Sequence, residues 1–448
     1  QANEYTEDWQ KTAVYSLVQI CRKVSSKYTL SKVRKNMPRE CSGVIDELLY
    51  VDNTDDNKTE YYSELINTLI DVRVADSFIV AICSLIRSLT IDNLHILGDI
   101  FDRGPRPDII LEELMHFHDV DIQWGNHDIS WMGAATGNRA CICNVLRMAL
   151  GYNGFDVLED GYGINLRPLS MFAERVYRDD PCTCFLPQIL DKNIYDAVDP
   201  KLAAKMHKAI AVLQYKEEGQ IIKRHPEYGM EERILLSAIR YDRGTVTIDG
   251  KEYPMRDMNF PTVDPADPLR LTDEEEELLH TLELSFRHNA RLHEHVRFLY
   301  SNGSMYKCCN SNLLYHGCIP MTENREFDGL MVGGKMYRGK ELMDFIDTQV
   351  KNAYFLPEDA PEKEACRDFM WYLWNGAKSP VFGKDKNRSF EHYFIEDPEV
   401  MRETMNPYYQ LSEEEETCDM ILKEFGLPTK GSHIINGHMP VKIKSGET

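Results

Sequence analysis

Four short loops carry the residues whose types can do chemistry. They are Gly98-Asp99-Ile100-Phe101-Asp102-Arg103-Gly104, Gly125-Asn126-His127-Asp128, His316-Gly317 and Gly437-His438. Together they offer carboxylates, an amide oxygen and imidazoles, the donor types that hold divalent metals in hydrolytic sites. Asp99 is the natural carboxylate to bridge two ions. Asn126, His316 and His438 complete one metal site. His127 follows Asn126 directly, so it can face a substrate and donate a proton to a leaving alkoxide. Asp102 stands three residues after Asp99 and can orient His127. Arg103 offers a planar pair of N–H donors to a phosphate, and Arg139 is a weaker candidate for the same task. The glycines allow tight turns and close approach of a phosphate.

Each loop must be positioned by an element, and each follows a short apolar run. Residues 93–97 and 121–124 read as buried strands, with a helix over Pro107–His118 between them. This strand–helix–strand order predicts a βαβ unit with both loops at one end of a parallel sheet. Leu313–Tyr315 and His433–Asn436 repeat the strand-then-loop style. Helical spacing of apolar residues predicts helices over 5–37, over Glu60–Leu89 and through about Leu150. Residues 165–305 are rich in helix formers, with one hairpin signal at Thr245–Tyr253 around Asp249-Gly250. Thr272–Glu275 and Ser412–Glu415 both fit a capping box ahead of a helix. His288, His293 and His295 lack the spacing of a helical metal site and read as structural.

Composition excludes several classes. Among 448 residues, 51 are Lys or Arg and 73 are Asp or Glu, a net charge of −22. That disfavours a nucleic-acid-backbone binder, which needs a positive footprint, and leaves room for a small anion held by a local cluster of cations. The longest apolar run, Phe78–Ile86, is about half of the roughly 18 residues a membrane helix needs and predicts a buried helix. The twelve cysteines are scattered, without zinc-knuckle spacing, and read as inert thiols of a reducing compartment.

The first two loops resemble the core of the calcineurin-like metallophosphoesterase family. Longer stretches resemble a narrower one, the class III fructose-1,6-bisphosphatases. These are Val24–Tyr28 with Ser31–Arg34, Gly125–Ala134, Leu314–Pro320, Trp371–Trp374 with Ser379–Lys386, and Asn436–Lys442. The resemblance spans nearly the whole chain. It implies an α/β fold, a metallophosphoesterase-like sheet core flanked by helices and interrupted by a large, mostly helical insertion. The expected segments are 1–160 and 311–448 for the core and 161–310 for the insertion. It further implies manganese at a two-metal site, a cytoplasmic setting, a gluconeogenic role, and hydrolysis of the 1-phosphate of fructose 1,6-bisphosphate by activated water. No nucleic acid or membrane partner is expected, and a homo-oligomer is left open.

One departure matters. The family's first motif, an Asp-x-His that serves the other metal, is absent before Asp99, and the core strands expected after His438 are absent too. Both ends are therefore expected to be incomplete, and the 448 residues alone to be weakly active or inactive. The second phosphate of the sugar needs cations elsewhere. Lys378, Lys384, Lys386 and Arg388 form the best local cluster for it. Two other readings stay open: a dinuclear-metal phosphatase of other phosphoesters such as phosphoproteins, and a metal-binding homologue that has lost catalysis. Mixed nitrogen and oxygen ligands also leave iron, zinc and magnesium open beside manganese.

Overall fold

Helices carry the described part of the first ninety residues, because apolar side chains recur there every three or four positions. The computed structural model describes residues 7–50, 56–188 and 198–439; the expectations for Gln1 and for residues 441–448 lie outside them. The chain divides into two compact units, residues 1–94 with 118–120, and 95–117 with 121–448.

The first unit contains α1 (Glu7–Ser25), α2 (Leu30–Asn36), α3 (Ser42–Tyr50), α4 (Asp56–Asp71) and α5 (Ala75–Thr90). Its core gathers Val14, Val18, Ile45, Leu48, Phe78, Ile82 and Leu85. Two expected long helices are each split. Thr29 ends the first reading by capping α2, its side chain accepting from the Lys32 amide. Arg73 splits the second. It takes a left-handed conformation (φ 57°), while Val74 N–H donates to Leu69 O, a Schellman-type stop. That role usually falls to glycine, so the apolar periodicity ran through it unmarked. Phe78–Ile86 buries one face only, since Val80 is 70% exposed.

The second unit is mixed α/β, mostly helical with small sheets. It runs β1 (Leu94–Ile96), α6 (Pro107–Met115), β2 (Val120–Gln123), α7 (Asn126–Ala135), α8 (Arg139–Gly151) and α9 (Arg167–Val176). Next come α10 (Pro200–Arg224), β3 (Ile239–Arg240), β4 (Thr245–Ile248), β5 (Lys251–Pro254), α11 (Asp273–Arg287) and α12 (Ala290–Asn302). Then follow β6 (Gly303–Ser304), β7 (Tyr306–Cys309), β8 (Asn312–Tyr315), β9 (Gly329–Val332), β10 (Lys335–Arg338) and α13 (Gly339–Phe355). The chain continues through α14 (Lys363–Asn375), α15 (Ser389–Phe394), α16 (Tyr408–Leu411), α17 (Glu415–Glu424) and β11 (His433–Asn436).

Two three-stranded sheets carry the four loops, in the orders β1-β2-β6 and β11-β8-β7. β2 runs parallel to β6, and β11 parallel to β8. Asp249 and Gly250 both take positive φ at the β4–β5 turn, the type I′ geometry that Asp-Gly predicts. The helix expected through Leu150 breaks at Gly137 (φ 91°), and the Asn138 side chain caps α8 by accepting from the Cys141 amide. α6 stops three residues earlier than expected, at Met115. The Thr272 capping box forms as expected. The one at Ser412 does not, because Ser412 closes α16 instead and Glu414 precedes α17 without a side-chain cap.

All twelve cysteines are free. His293 bonds to the Tyr354 hydroxyl and His295 to the Tyr162 hydroxyl, which is the structural role expected of them. No helix among the described residues is long and apolar enough to cross a membrane.

Buried His207 ties α10 to its surroundings. Its Nδ1 meets Phe185 O at 2.9 Å and its Nε2 the Tyr393 hydroxyl at 2.9 Å. Burial pushes the imidazole down to about 3 from its ordinary 6.5. Between those values the unfolded chain binds a proton that the folded one refuses. Stability therefore falls as pH drops from about 6.5 toward 3, by on the order of 4 kcal/mol. Urea unfolding of His207→Gln across this window is expected to show a flatter pH slope than the parent. An unchanged slope would remove His207 as the cause.

Candidate active site

The two glycines that open the first motifs exist because the loops after β1 and β2 touch. A Cβ on Gly98 would lie 2.4 Å from Gln123 O and from Gly125 N, and one on Gly125 would lie 2.1 Å from Asp99 Oδ1. Only glycine at both positions permits this approach. Asp99, Arg103 and His438 themselves take positive φ, at 55°, 35° and 62°. Such left-handed backbone in non-glycine residues concentrates at functional sites.

Asp128, which the sequence offered without a role, fastens the two loops. It is fully buried, and its carboxylate accepts from Asp99 N (2.7 Å), Gly125 N (2.9 Å) and Phe101 N (3.3 Å). The bond to Gly125 also closes the first turn of α7. Burial, with the Asp99 charge beside it, pushes Asp128 up to about 6. Asp128→Asn puts an N–H donor where three donors converge. The substitution is expected to cost about 1–3 kcal/mol of unfolding free energy, read by urea denaturation. A change near zero would deny Asp128 this fastening role.

The structure brings Asp99, His316 and His438 together, with ligand atoms of all three within 4.8 Å of one another. Asp99, Asp102 and His127 form a second such group, so Asp99 belongs to both. His316 Nδ1 donates to Leu97 O at 2.5 Å, which turns Nε2 toward Asp99 Oδ2 (3.2 Å) and His438 Nδ1 (3.2 Å). A backbone carbonyl that fixes the far nitrogen is the usual support of a metal-binding histidine. Burial alone would raise the Asp99 carboxyl. The His316 hydrogen bond and the neighbouring imidazoles outweigh it and hold Asp99 at about 2. His438 is pushed down to about 4, first by burial and then by His316, with Lys384 adding to the effect. Asn126 Oδ1 is buried with no hydrogen-bond donor among the described residues. An orphaned amide oxygen beside converging nitrogen and carboxylate donors fits a divalent cation.

His127 Nε2 lies 3.1 Å from Asp102 Oδ1, as the spacing predicted, and Arg103 Nε donates to the same oxygen at 2.8 Å. Burial pushes the His127 imidazole down, while Asp99 and Asp102 work against it. Trp374, at the end of α14, meets the His127 ring nearly at right angles with centroids 4.8 Å apart. This contact was missed because the Trp371–Trp374 stretch carries no spacing that points to a distant histidine. Arg103 also lies over the Tyr152 ring, 5.0 Å from its centroid.

The other expected substrate contacts fall differently. Arg139 lies apart from the cluster, paired with Glu276 (2.8 Å) and Glu283 (3.0 Å), and it borders another cavity. Lys378 is paired with Asp328, Lys384 with Glu403 (2.6 Å), and Lys386 with Asp249. Arg388 also holds Asp249 (3.2 Å), and Glu391 (3.1 Å). The four residues are thus neutralised by acids, all but Glu391 distant in sequence, which an acidic chain supplies readily. Lys378 and Lys384 nevertheless line one cavity of about 680 Å³. Cys318 N–H donates to Pro380 O at 2.8 Å, joining this loop to the His316 strand end.

Carboxylates and imidazoles converging at strand ends in a mixed α/β unit define a candidate metal-dependent hydrolytic site. The chain belongs to the family described as Firmicute fructose-1,6-bisphosphatase, whose profile matches residues 1–448. It is 50% identical to the fructose-1,6-bisphosphatase class 3 of Clostridium tetani, over 100% of this chain and 68% of that protein. Identity to the protein of the same name from Bacteroides fragilis is 51%, over 98% of this chain and 67% of the relative. For Clostridium novyi it is 49%, over 100% and 67%. The chain thus spans about two thirds of the length of these relatives. No solved structure matches it.

Proposed function

We propose that the chain is a phosphoric monoester hydrolase that converts fructose 1,6-bisphosphate to fructose 6-phosphate and phosphate, with manganese as the resident ion. The observation that carries this reading is the sharing of Asp99 between two groups of ligand-type side chains, in a chain half identical to proteins of that name. Asp99, His316, His438 and Asn126 would hold the metal. A bound divalent ion supplies Lewis-acid stabilisation of the phosphoryl charge and a more acidic water nucleophile. The protein's own residues do the rest. Asp102 orients the His127 ring and favours its protonated form, so that His127 can give a proton to the departing sugar oxygen. Arg103 adds positive charge beside the phosphate. A gluconeogenic, cytoplasmic role follows from the same reading, with residues 161–310 as an insertion between the two segments that supply the site.

The remote phosphate is assigned to Lys378 and Lys384, which share a cavity beside the His316 strand end. Lys386 and Arg388 instead anchor Asp249 of the β4–β5 hairpin. Lys384→Glu is expected to raise KM for fructose 1,6-bisphosphate about ten- to hundredfold, the loss of one charge-assisted hydrogen bond, with kcat nearly unchanged. An unaltered KM would remove the lysine from the substrate site.

The reading itself is tested by phosphate release from a panel of phosphoesters with added Mn²⁺. Release from fructose 1,6-bisphosphate in preference to the others is expected. Release from phosphoproteins but not from the sugar would keep the metal chemistry and discard the substrate. Metal binding without any release would favour a homologue that has lost catalysis.

A further inference from the structure

A second cavity, of about 600 Å³, lies apart from the cluster and is strongly polar. Most of the charges around it are already matched. Arg139 is held by Glu276 and Glu283, and Arg224 by Asp368 at 2.9 Å. Glu217 of α10 is the buried carboxyl that is not matched. It is only 7% exposed, lines the cavity, and among the described residues has neither a hydrogen bond nor an ion pair. Burial pushes this carboxyl up to about 7, even with Arg139 and Arg224 nearby. Lys223, exposed at the rim, also has no partner among the described residues. A recessed carboxyl group without a donor is costly unless something supplies one.

Two helices run from this cavity to His127. α7 begins at Asn126 and His127, and the turn after it, Gly137-Asn138, lines the cavity. α14 passes the cavity at Arg367 and Asp368 and ends with Trp374 on the His127 ring. The Asn138 amide locks the cavity ends of both helices together. Its Nδ2 donates to Arg367 O (3.2 Å) and Asp368 Oδ1 (3.3 Å).

We propose that this cavity is a regulatory site for a small amino-acid-like zwitterion, its ammonium received by Glu217 and its anionic group by Lys223. The amine end is assigned to Glu217 because that carboxyl alone is buried and lacks a donor. The anionic end faces outward because Lys223, the lining cation without a partner among the described residues, stands exposed at the rim. A ligand there contacts the ends of α7 and α14 together, and any shift between the two helices changes the packing of Trp374 on His127. This site does not depend on the reaction assigned above.

Calorimetric titration of the protein with glycine, L-aspartate, L-glutamine and phosphoethanolamine tests it, with the last probe separating a phosphate from a carboxylate as the outer group. At least one probe is expected to bind once per chain. Glu217→Gln, which keeps the side-chain volume, is expected to weaken that probe about ten- to hundredfold, and Lys223→Ala severalfold. Glu217→Gln should melt at or above the parent, because it removes a carboxyl that burial makes costly, and Lys223→Ala should melt with the parent. Absence of binding by every probe, or binding unchanged in both variants, would overturn the site. The link to the centre is read from the NMR signals of the His127 ring with and without the probe, a measurement that needs no turnover. Shifted signals support the link, and signals unmoved at saturation would overturn it, whether or not fructose 1,6-bisphosphate proves to be the substrate.

Discussion

Asp99→Asn lowers phosphate release from fructose 1,6-bisphosphate by about 10³-fold or more. Loss of one outer partner of a metal ligand already costs about 10- to 100-fold, and loss of one preorganised electrostatic contact costs about a further 10²- to 10³-fold. Asp99 does both jobs. One carboxylate oxygen faces His316 Nε2 and the other accepts the His127 amide. Asparagine keeps the shape and can still accept from that amide, so the Asp128 fastening and the fold should survive. What disappears is the negative charge shared by both ligand groups. The expected result is a variant that melts like the parent, binds much less Mn²⁺ and releases almost no phosphate. Turnover within tenfold of the parent would refute a central role for Asp99.

The second large effect is expected at His127. Replacement by glutamine should reduce kcat by about 10²- to 10⁴-fold, the usual worth of a positioned general acid, while metal content stays near that of the parent. Asp102→Asn should reduce kcat less, by about 10- to 100-fold, because it acts through the His127 ring it touches at 3.1 Å. The double variant should be little worse than His127→Gln alone, since the two residues act as a unit. Additive losses would show that Asp102 works independently, for example through Arg103, which donates to the same oxygen. Loss of metal from His127→Gln would recast this histidine as a ligand, which its group with Asp99 and Asp102 would also permit.

The candidate site was legible because the residues proposed for it sit in short local motifs. Asp99, Asn126, His127, His316 and His438 each lie within four residues of the end of a short strand, and the fold puts those strands in two small sheets. The three-residue step from Asp99 to Asp102 placed a carboxylate on His127. Asp249-Gly250 and Thr272–Glu275 were legible for the same reason, since a turn or cap is decided within a few residues. Arg73 was not, because an arginine in left-handed conformation carries no sequence mark.

By itself, the sequence determined which groups are available, which short segments present them, and where glycine must stand for two loops to touch. The tertiary structure alone decided their partners. It set the His316 ring with a carbonyl 219 residues away and laid Trp374 on His127. It moved Arg139 to another cavity and matched the lysines of residues 378–386 with distant acids. The division has a physical reason. Turns, caps and strand ends are settled by backbone sterics over a few residues. The state of a charge or an imidazole depends on what burial leaves beside it, and that is known only once the chain has closed on itself.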